Sequence, residues 1–221
     1  MRLIWTTALL LLLTPATVLA DETPDSPVGA ERAPFRNKGR QVAFHAGYLE
    51  PVGGFGDIAD PGYSVAASIQ WRTSRHDAFG ARLERAEFGA DQALESQLSY
   101  QSGGEVQLRY QLWILTHTMR YLIAPDRRVV PFVQITLGLQ GFRTTLHSAG
   151  AEGSNMDVGL NQEIGTGLTV RLARTWVGEL SGAYTFAAGK SHARAGILEV
   201  SSRGTIQYLQ FKAALSRRLG R

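Results

Sequence analysis

Two short segments of the chain combine the residue types that nucleophilic catalysis requires. Each holds one His, one Ser and one Glu: His147, Ser148 and Glu152 in the first, and Ser191, His192 and Glu199 in the second. Together such groups can provide a nucleophile, a general base and a carboxylate that orients the base. Both segments are rich in Gly, Ala and Ser, and nothing in their spacing orients the three groups. Sets without a motif are mostly coincidental, so we expect no catalytic residues.

The spacing of potential ligands indicates neither a metal centre nor a cofactor site. The chain has five histidines and no cysteine, and the histidines are not closely spaced. His45 and His117 fall on segments where they would face an interior, and there a hydrogen-bonded imidazole is the default expectation. We therefore expect no bound metal and no cofactor.

Eight charged residues lie on the polar side of segments in which polar and apolar residues alternate. They are Arg82, Glu84, Glu105, Arg109, Glu163, Arg171, Glu179 and Lys212. An unpaired charge is unfavourable inside a protein, so opposite charges at neighbouring positions are expected to form ion pairs. The alternative is a constriction that selects small solutes. The residue types favour the ion-pair network.

The first forty residues are predicted to lie outside the fold that carries these charges. Arg2, an apolar run at 4–13 and the small-residue exit at 18–20 predict a signal peptide, residues 1–20, cut after Ala20. Pro15 interrupts the apolar run, which is shorter than the roughly 20 residues of a spanning helix. Residues 21–40, rich in Pro and charge, predict a flexible periplasmic leader.

Residues 41–219 alternate between apolar and polar side chains in eight successive segments. The second segment shows the pattern most clearly, with Tyr63, Val65, Ala67, Ile69 and Trp71 against Ser64, Ala66, Ser68, Gln70 and Arg72. A period of two places successive side chains on opposite faces of a sheet. In the fourth segment the apolar phase changes near Trp113, which predicts a bulge. The prediction is an all-β, eight-stranded antiparallel up-and-down transmembrane β-barrel.

The connections between the segments alternate in length. Tight turns are predicted at 74–76, 125–128 and 173–175, and longer loops at 51–62, 89–104, 144–155 and 188–203. Short turns at one end and long loops at the other are typical of the periplasmic and extracellular ends of outer-membrane barrels. Both ends of the barrel domain are then periplasmic.

Alternation also occurs in soluble barrels, so the membrane assignment depends on the residue types of each face. The polar face mixes small residues with Arg, Glu, Gln and Asn, as a narrow lumen requires. Aromatic residues fall near the ends of the apolar face: Trp71, Phe79 and Trp176 toward the short turns, and Tyr48, Tyr63, Tyr184 and Phe186 toward the long loops. Such girdles mark membrane interfaces. The chain has a net charge of +4, but its basic residues form no helical stripe, so no nucleic-acid partner is expected.

The chain resembles the OmpA/OmpX-like superfamily of small outer-membrane β-barrels. The segments that carry the likeness are Phe55-Gly56-Asp57 through Pro61-Gly62-Tyr63, Arg120-Tyr121, and Pro131-Phe132-Val133 through Gly138-Leu139. The resemblance implies an outer-membrane location, insertion by the assembly machinery and, for most members, no enzymatic activity. Family members typically end on an aromatic residue, whereas this chain has Leu219 in the corresponding phase.

We therefore expect a non-enzymatic outer-membrane barrel with a side-chain-filled lumen and a structural or surface-contact role. A minor channel or small-ligand conduit is the alternative. A barrel enzyme that modifies lipid A, as some small barrels are, ranks third. The expected partners are outer-membrane lipid, lipopolysaccharide and the assembly machinery, and the expected state is a monomer.

Overall fold

Eight antiparallel strands close into one barrel in the computed structural model, which describes residues 39–148, 151–195 and 198–219. The strands are β1 Arg40–Val52, β2 Ala59–Arg72, β3 Asp77–Ala90, β4 Val106–Leu122, β5 Val129–Ser148, β6 Ala151–Arg171, β7 Trp176–Ala195 and β8 Leu198–Leu219. Each strand pairs with its neighbours in sequence, and β1 pairs with β8 from Arg40↔Leu219 to Val52↔Gln207. The predicted fold class is confirmed. Residues 1–38, which hold the predicted signal peptide and nearly all of the predicted leader, lie outside the described part.

The outward face of the barrel is an apolar band between two aromatic girdles. Phe44, Leu137 and Leu180 on β1, β5 and β7 leave more than half of their side chains exposed. The aromatic residues predicted for the girdles are exposed at both ends of the band: Trp71, Phe79 and Trp176, and Tyr48, Tyr63, Tyr184 and Phe186. This arrangement is the one that a barrel wall presents to lipid.

Strand β4 keeps one phase along its whole length, and the bulge predicted near Trp113 is wrong. Its pairing with β3 runs without a shift from Asp77↔Tyr121 to Gly89↔Arg109. Five apolar residues in its extracellular half point into the barrel: Val106, Leu108, Tyr110, Leu112 and Ile114. In the lower half, Trp113, Leu115, Met119 and Tyr121 point outward instead. The strand leaves the membrane at this level. Its apolar side chains face outward to lipid below this level and inward to a protein core above it, while the register of the backbone does not change.

Above the membrane the barrel has an apolar core like that of a soluble protein. Leu49, Phe88, Leu146 and Ile206 are buried in it together with the inward residues of β4. Phe55, in a 3-10 turn at Gly53–Phe55, enters the core from above, with its ring centroid 5.1 Å from that of Phe88. The wall around this core carries polar residues on its outer side, since water replaces lipid there.

A helix lies in the second extracellular connection, which the sequence predicted only as a loop. Helix α1, Gln92–Ser102, begins after Asp91, whose Oδ1 accepts hydrogen bonds from the backbone N–H of Ala93 at 2.8 Å and of Leu94 at 3.2 Å. Glu95 Oε1 accepts from Leu108 N at 2.8 Å, which ties the helix to β4. Among the described residues, no helix has the length and hydropathy needed to span a bilayer.

The last two predicted long loops are strand pairs instead. Strands β5 and β6 stay paired up to Ser148↔Ala151, and β7 and β8 up to Ala195↔Leu198. Pairing between β6 and β7 ends lower, at Asn161↔Ala187. The β5–β6 and β7–β8 hairpins therefore extend beyond the last backbone pair that joins β6 to β7. The three predicted tight turns are present at the opposite end.

A charge placed in the middle of the apolar band should destabilise the barrel. Leu137→Arg puts a guanidinium at the mid-band surface of β5, where an arginine in lipid lowers stability by about 2–4 kcal/mol. His147→Arg, on the same outward face of β5 but near its extracellular tip, should change stability by less than about 0.5 kcal/mol. Urea unfolding in lipid vesicles measures both variants, and equal effects would contradict a membrane-embedded band.

Candidate functional site

The polar part of the lumen contains a cluster of four buried charges from three strands. Arg82 and Glu84 come from β3, Glu163 from β6 and Lys212 from β8. Lys212 Nζ lies 2.6 Å from Glu84 Oε2, and Arg82 Nε lies 3.1 Å from the same oxygen. Arg82 also binds Glu163 through both terminal nitrogens. None of the four is more than 6% exposed, so each charge depends on its partners rather than on water.

A second ion pair joins this cluster toward the short-turn end. Arg120 on β4 donates to Glu179 Oε2 at 2.6 Å and to Oε1 at 2.9 Å, which is a bidentate geometry. Gln134 on β5 links the two groups, since it accepts from Arg120 and donates to Glu163, each at 2.8 Å. The Arg120 guanidinium also lies 3.8 Å from the centre of the Phe132 ring. We call the six charged residues and Gln134 the lumen network; its three cations and three carboxylates balance.

Five of the eight charged residues that the sequence placed in the lumen are in this network: Arg82, Glu84, Glu163, Glu179 and Lys212. Arg171 is half-buried at the short-turn end of β6. The lumen placement of Glu105 and Arg109 is wrong. Both are exposed on the outside of the extracellular part, because the predicted bulge does not exist and the phase of β4 is therefore the reverse of the one assumed there.

Arg120 is the member of the network that sequence reasoning missed. The lower half of β4 contains Thr116, Thr118 and Arg120 at alternate positions, all of them buried. Continuing a single phase through Trp113 would have placed all three in the lumen. The apolar residues of the upper half concealed this pattern, because they were interpreted as facing lipid.

The histidines divide between the two faces of the wall. His45 is buried in the lumen, where its Nε2 lies 2.8 Å from Ser68 Oγ, in agreement with a hydrogen-bonded interior imidazole. His117 is exposed on the outward face, so its predicted lumen position is wrong. In the part of the chain that the structure describes, no three His, Asp or Glu side chains converge on a metal-sized site.

The first Ser-His-Glu set does not form a catalytic arrangement. His147 Nδ1 lies 3.9 Å from Glu152 Oε2, across the exposed tip of the β5–β6 hairpin. Ser148 is the next residue along β5, so its side chain points to the opposite face from His147. The side chains of the second set, Ser191, His192 and Glu199, lie outside the described part.

Two cavities in the polar half of the lumen are too small for a solute. The larger, of about 40 Å³, lies at the short-turn end beside Gln70, Arg120 and Thr169. The smaller, of about 10 Å³, lies beside His45 and Lys212. A single water needs about 10–15 Å³, so the larger cavity has room for a few waters. Its lining includes the buried Thr169 hydroxyl, which has no protein partner in the described residues.

An aromatic layer closes the lumen on the extracellular side of the network. This layer, here called the aromatic plug, consists of Phe55, Phe88, Tyr110, Phe142 and Tyr208. Tyr110 and Phe142 stack at 5.7 Å, Phe55 meets Tyr110 edge-on at 5.8 Å, and Phe88 meets Tyr208 at 5.5 Å. Every member is less than 5% exposed. Within the described residues, the lumen is thus filled by two successive layers, one charged and one aromatic.

An apolar belt, aromatic girdles, short turns at one end and a filled polar lumen define a small outer-membrane β-barrel. Among solved structures, OprG from Pseudomonas aeruginosa has 10% identity and a TM-score of 0.53, covering 85% of this chain and 99% of its own. Neisserial surface protein A has 12% identity and a TM-score of 0.51, covering 82% and 97%. Ail, the attachment invasion locus protein of Yersinia pestis, has 10% identity and a TM-score of 0.50, covering 83% and 100%.

These likenesses are likenesses of fold, and they agree with the OmpA/OmpX-like architecture predicted from the sequence. No protein-family model and no curated protein sequence matches this chain.

Removing one carboxylate from the lumen network should destabilise the barrel strongly. Glu84→Ala leaves Lys212 without its 2.6 Å partner and Arg82 with one partner fewer. Breaking a buried pair in this way lowers stability by about 3–5 kcal/mol. The exposed Glu105→Ala is the matched control and should change stability by less than about 0.5 kcal/mol.

The double variant Glu84→Gln/Lys212→Gln removes both charges and should recover part of the loss. Urea unfolding followed by heat-modifiable gel mobility measures all the variants. Equal stability of the Glu84 and Glu105 variants would contradict a structural role for the network.

Proposed function

We propose that this protein is a non-enzymatic outer-membrane barrel that acts as a closed scaffold, with a structural or surface-contact role. The observation that carries the proposal is the filling of the lumen by the lumen network and the aromatic plug. Eight strands enclose an interior that side chains can fill, and here charged pairs and aromatic rings fill it. A solute crossing the barrel would have to separate four buried ion pairs and then displace five packed rings.

The extracellular part supports a contact role for the outer surface. Its apolar core and helix α1 hold the upper strands in place without help from lipid. Its outer side carries polar residues such as Arg109, Gln111 and Arg143, which are suited to contact with water or a polar partner. The β5–β6 hairpin extends this wall further from the membrane. A rigid, solvated projection of this kind is suited to presenting a surface.

The remaining partners follow from the location. Outer-membrane lipid, with lipopolysaccharide in its outer leaflet, would surround the apolar band. The assembly machinery would insert the barrel into the membrane. The assembly machinery usually recognises a terminal aromatic residue. Leu219, exposed on the outward face at the end of β8, would occupy that position here. We expect the inserted barrel to be a monomer.

Reconstitution in planar bilayers tests the closed lumen. The parent protein should show no stable conductance. A variant with only the aromatic plug trimmed, Phe55→Ala/Phe142→Ala, should stay closed because the lumen network still fills the lower half. Adding Arg82→Ala and Glu163→Ala to that variant should produce brief openings. Stable, size-selective conductance of the parent would reject this proposal in favour of the channel.

Incubation with lipopolysaccharide and mass analysis of lipid A tests the absence of enzymatic activity. The acyl pattern should be the same with the parent protein, with His147→Ala and without protein. An altered pattern that disappears in His147→Ala or His192→Ala would establish the barrel as an enzyme that modifies lipid A.

A further inference from the structure

The short-turn end of the barrel is ringed by arginine. Six arginines there are exposed, and we call them the arginine ring: Arg40, Arg75, Arg127, Arg128, Arg174 and Arg217. Each of the three tight turns contributes at least one of them, and Arg40 and Arg217 lie on the strands that close the barrel. The positive charge therefore surrounds the mouth on every side instead of forming a patch on one face.

Few acidic groups neutralise this charge. The same turns and strand ends contain Asp77 and Asp126. Asp126 forms an ion pair with Arg75, and Asp77 Oδ2 accepts a hydrogen bond from Ser74 Oγ at 2.5 Å. The ring thus keeps a clear excess of positive charge at one end of the molecule.

Two members of the ring lie at the depth of the aromatic girdle. Arg217 is the register partner of Trp176, and its guanidinium carbon lies 5.8 Å from the centre of the Trp176 indole. Arg40 is the register partner of Trp71. Both tryptophans are exposed on the outward face, and tryptophans in such girdles sit at the level of lipid headgroups. These two guanidinium groups are therefore within reach of headgroup phosphates.

We propose that the arginine ring binds the headgroups of anionic phospholipids in the periplasmic leaflet. A guanidinium donates in a fork that matches two phosphate oxygens, which suits arginine to this ligand. A lipid leaflet surrounds the barrel, as the arginine ring does, and its headgroups lie at the depth of Trp71 and Trp176. A cell-wall polymer would instead approach from the periplasm, and would not explain why Arg40 and Arg217 lie beside these tryptophans. The inference concerns the outer rim and does not depend on whether the lumen conducts.

Quenching of tryptophan fluorescence by brominated lipids tests whether anionic headgroups are enriched beside the arginine ring. In one variant Trp176 is the only tryptophan, and in a second Trp113, which lies at the extracellular edge of the apolar band, is the only one. Each is placed in phosphatidylcholine vesicles that contain an equal fraction of brominated phosphatidylglycerol or brominated phosphatidylcholine. An arginine near an anionic surface contributes about 1 kcal/mol, which is about a fivefold local enrichment. Trp176 should report this enrichment for phosphatidylglycerol. Trp113 also lies beside a guanidinium, that of Arg85, but Arg85 is paired with Glu87, so Trp113 should report a smaller enrichment.

Two triple variants, made in the Trp176 background, distinguish the ring from arginine in general. Arg40→Gln/Arg174→Gln/Arg217→Gln should bring the ratio close to one. Arg85→Gln/Arg109→Gln/Arg143→Gln, which removes three arginines from the extracellular part, should leave the ratio unchanged. Heat-modifiable mobility confirms that each variant is folded.

Raising the salt concentration should lower the enrichment of the parent, because exposed charges are screened. The proposal is overturned if both lipids quench Trp176 equally in the parent, or if the enrichment survives the ring variant. An enrichment that is insensitive to salt, or equal at Trp113, would also overturn it.

Discussion

Closure of the backbone between β1 and β8 is the constraint on which the rest of the structure depends. A strand in lipid has no water to satisfy its N–H and C=O groups, so each must pair with a neighbouring strand. Here the last strand pairs with the first over thirteen positions. Closure with eight strands fixes a narrow interior, and a narrow interior leaves little room for water around its side chains. The charged residues of the lumen must then satisfy one another, which is why three cations and three carboxylates occur together.

The wall of this barrel is exposed to two solvents, and its side chains are arranged for both. In the membrane, lipid lies outside and the polar lumen network inside. Above the membrane, water lies outside and an apolar core inside. Strand β4 passes through both regions with one unbroken register, so Leu112 is buried inside while Leu115 faces lipid. The level at which the two patterns meet, near Trp113, marks the outer membrane interface on this strand.

The sequence was sufficient to predict the fold, because a period of two and alternating connection lengths are both visible in one chain. Five lumen charges followed from the same alternation. The sequence-based prediction was wrong where alternation was assumed to mean one solvent throughout, as at Glu105 and Arg109. Helix α1 was missed because part of what holds it lies outside its own segment, such as the hydrogen bond from Leu108 N on β4 to Glu95. The ion pairs themselves, such as Lys212 with Glu84, link strands far apart in sequence, and no local pattern predicts them.

The polar outer side of the extracellular part has a consequence for how the barrel enters the membrane. Arg109 and Arg143, exposed above the apolar band, must pass through the hydrocarbon region before they reach water on the far side. An arginine on a barrel surface at the bilayer midplane is unfavourable by about 2–4 kcal/mol, so this passage opposes spontaneous insertion. Once the hairpins have crossed, the apolar core can pack, and withdrawal would require that core to unfold and those arginines to return through lipid. We therefore expect the extracellular part to slow both the insertion of the barrel and its withdrawal.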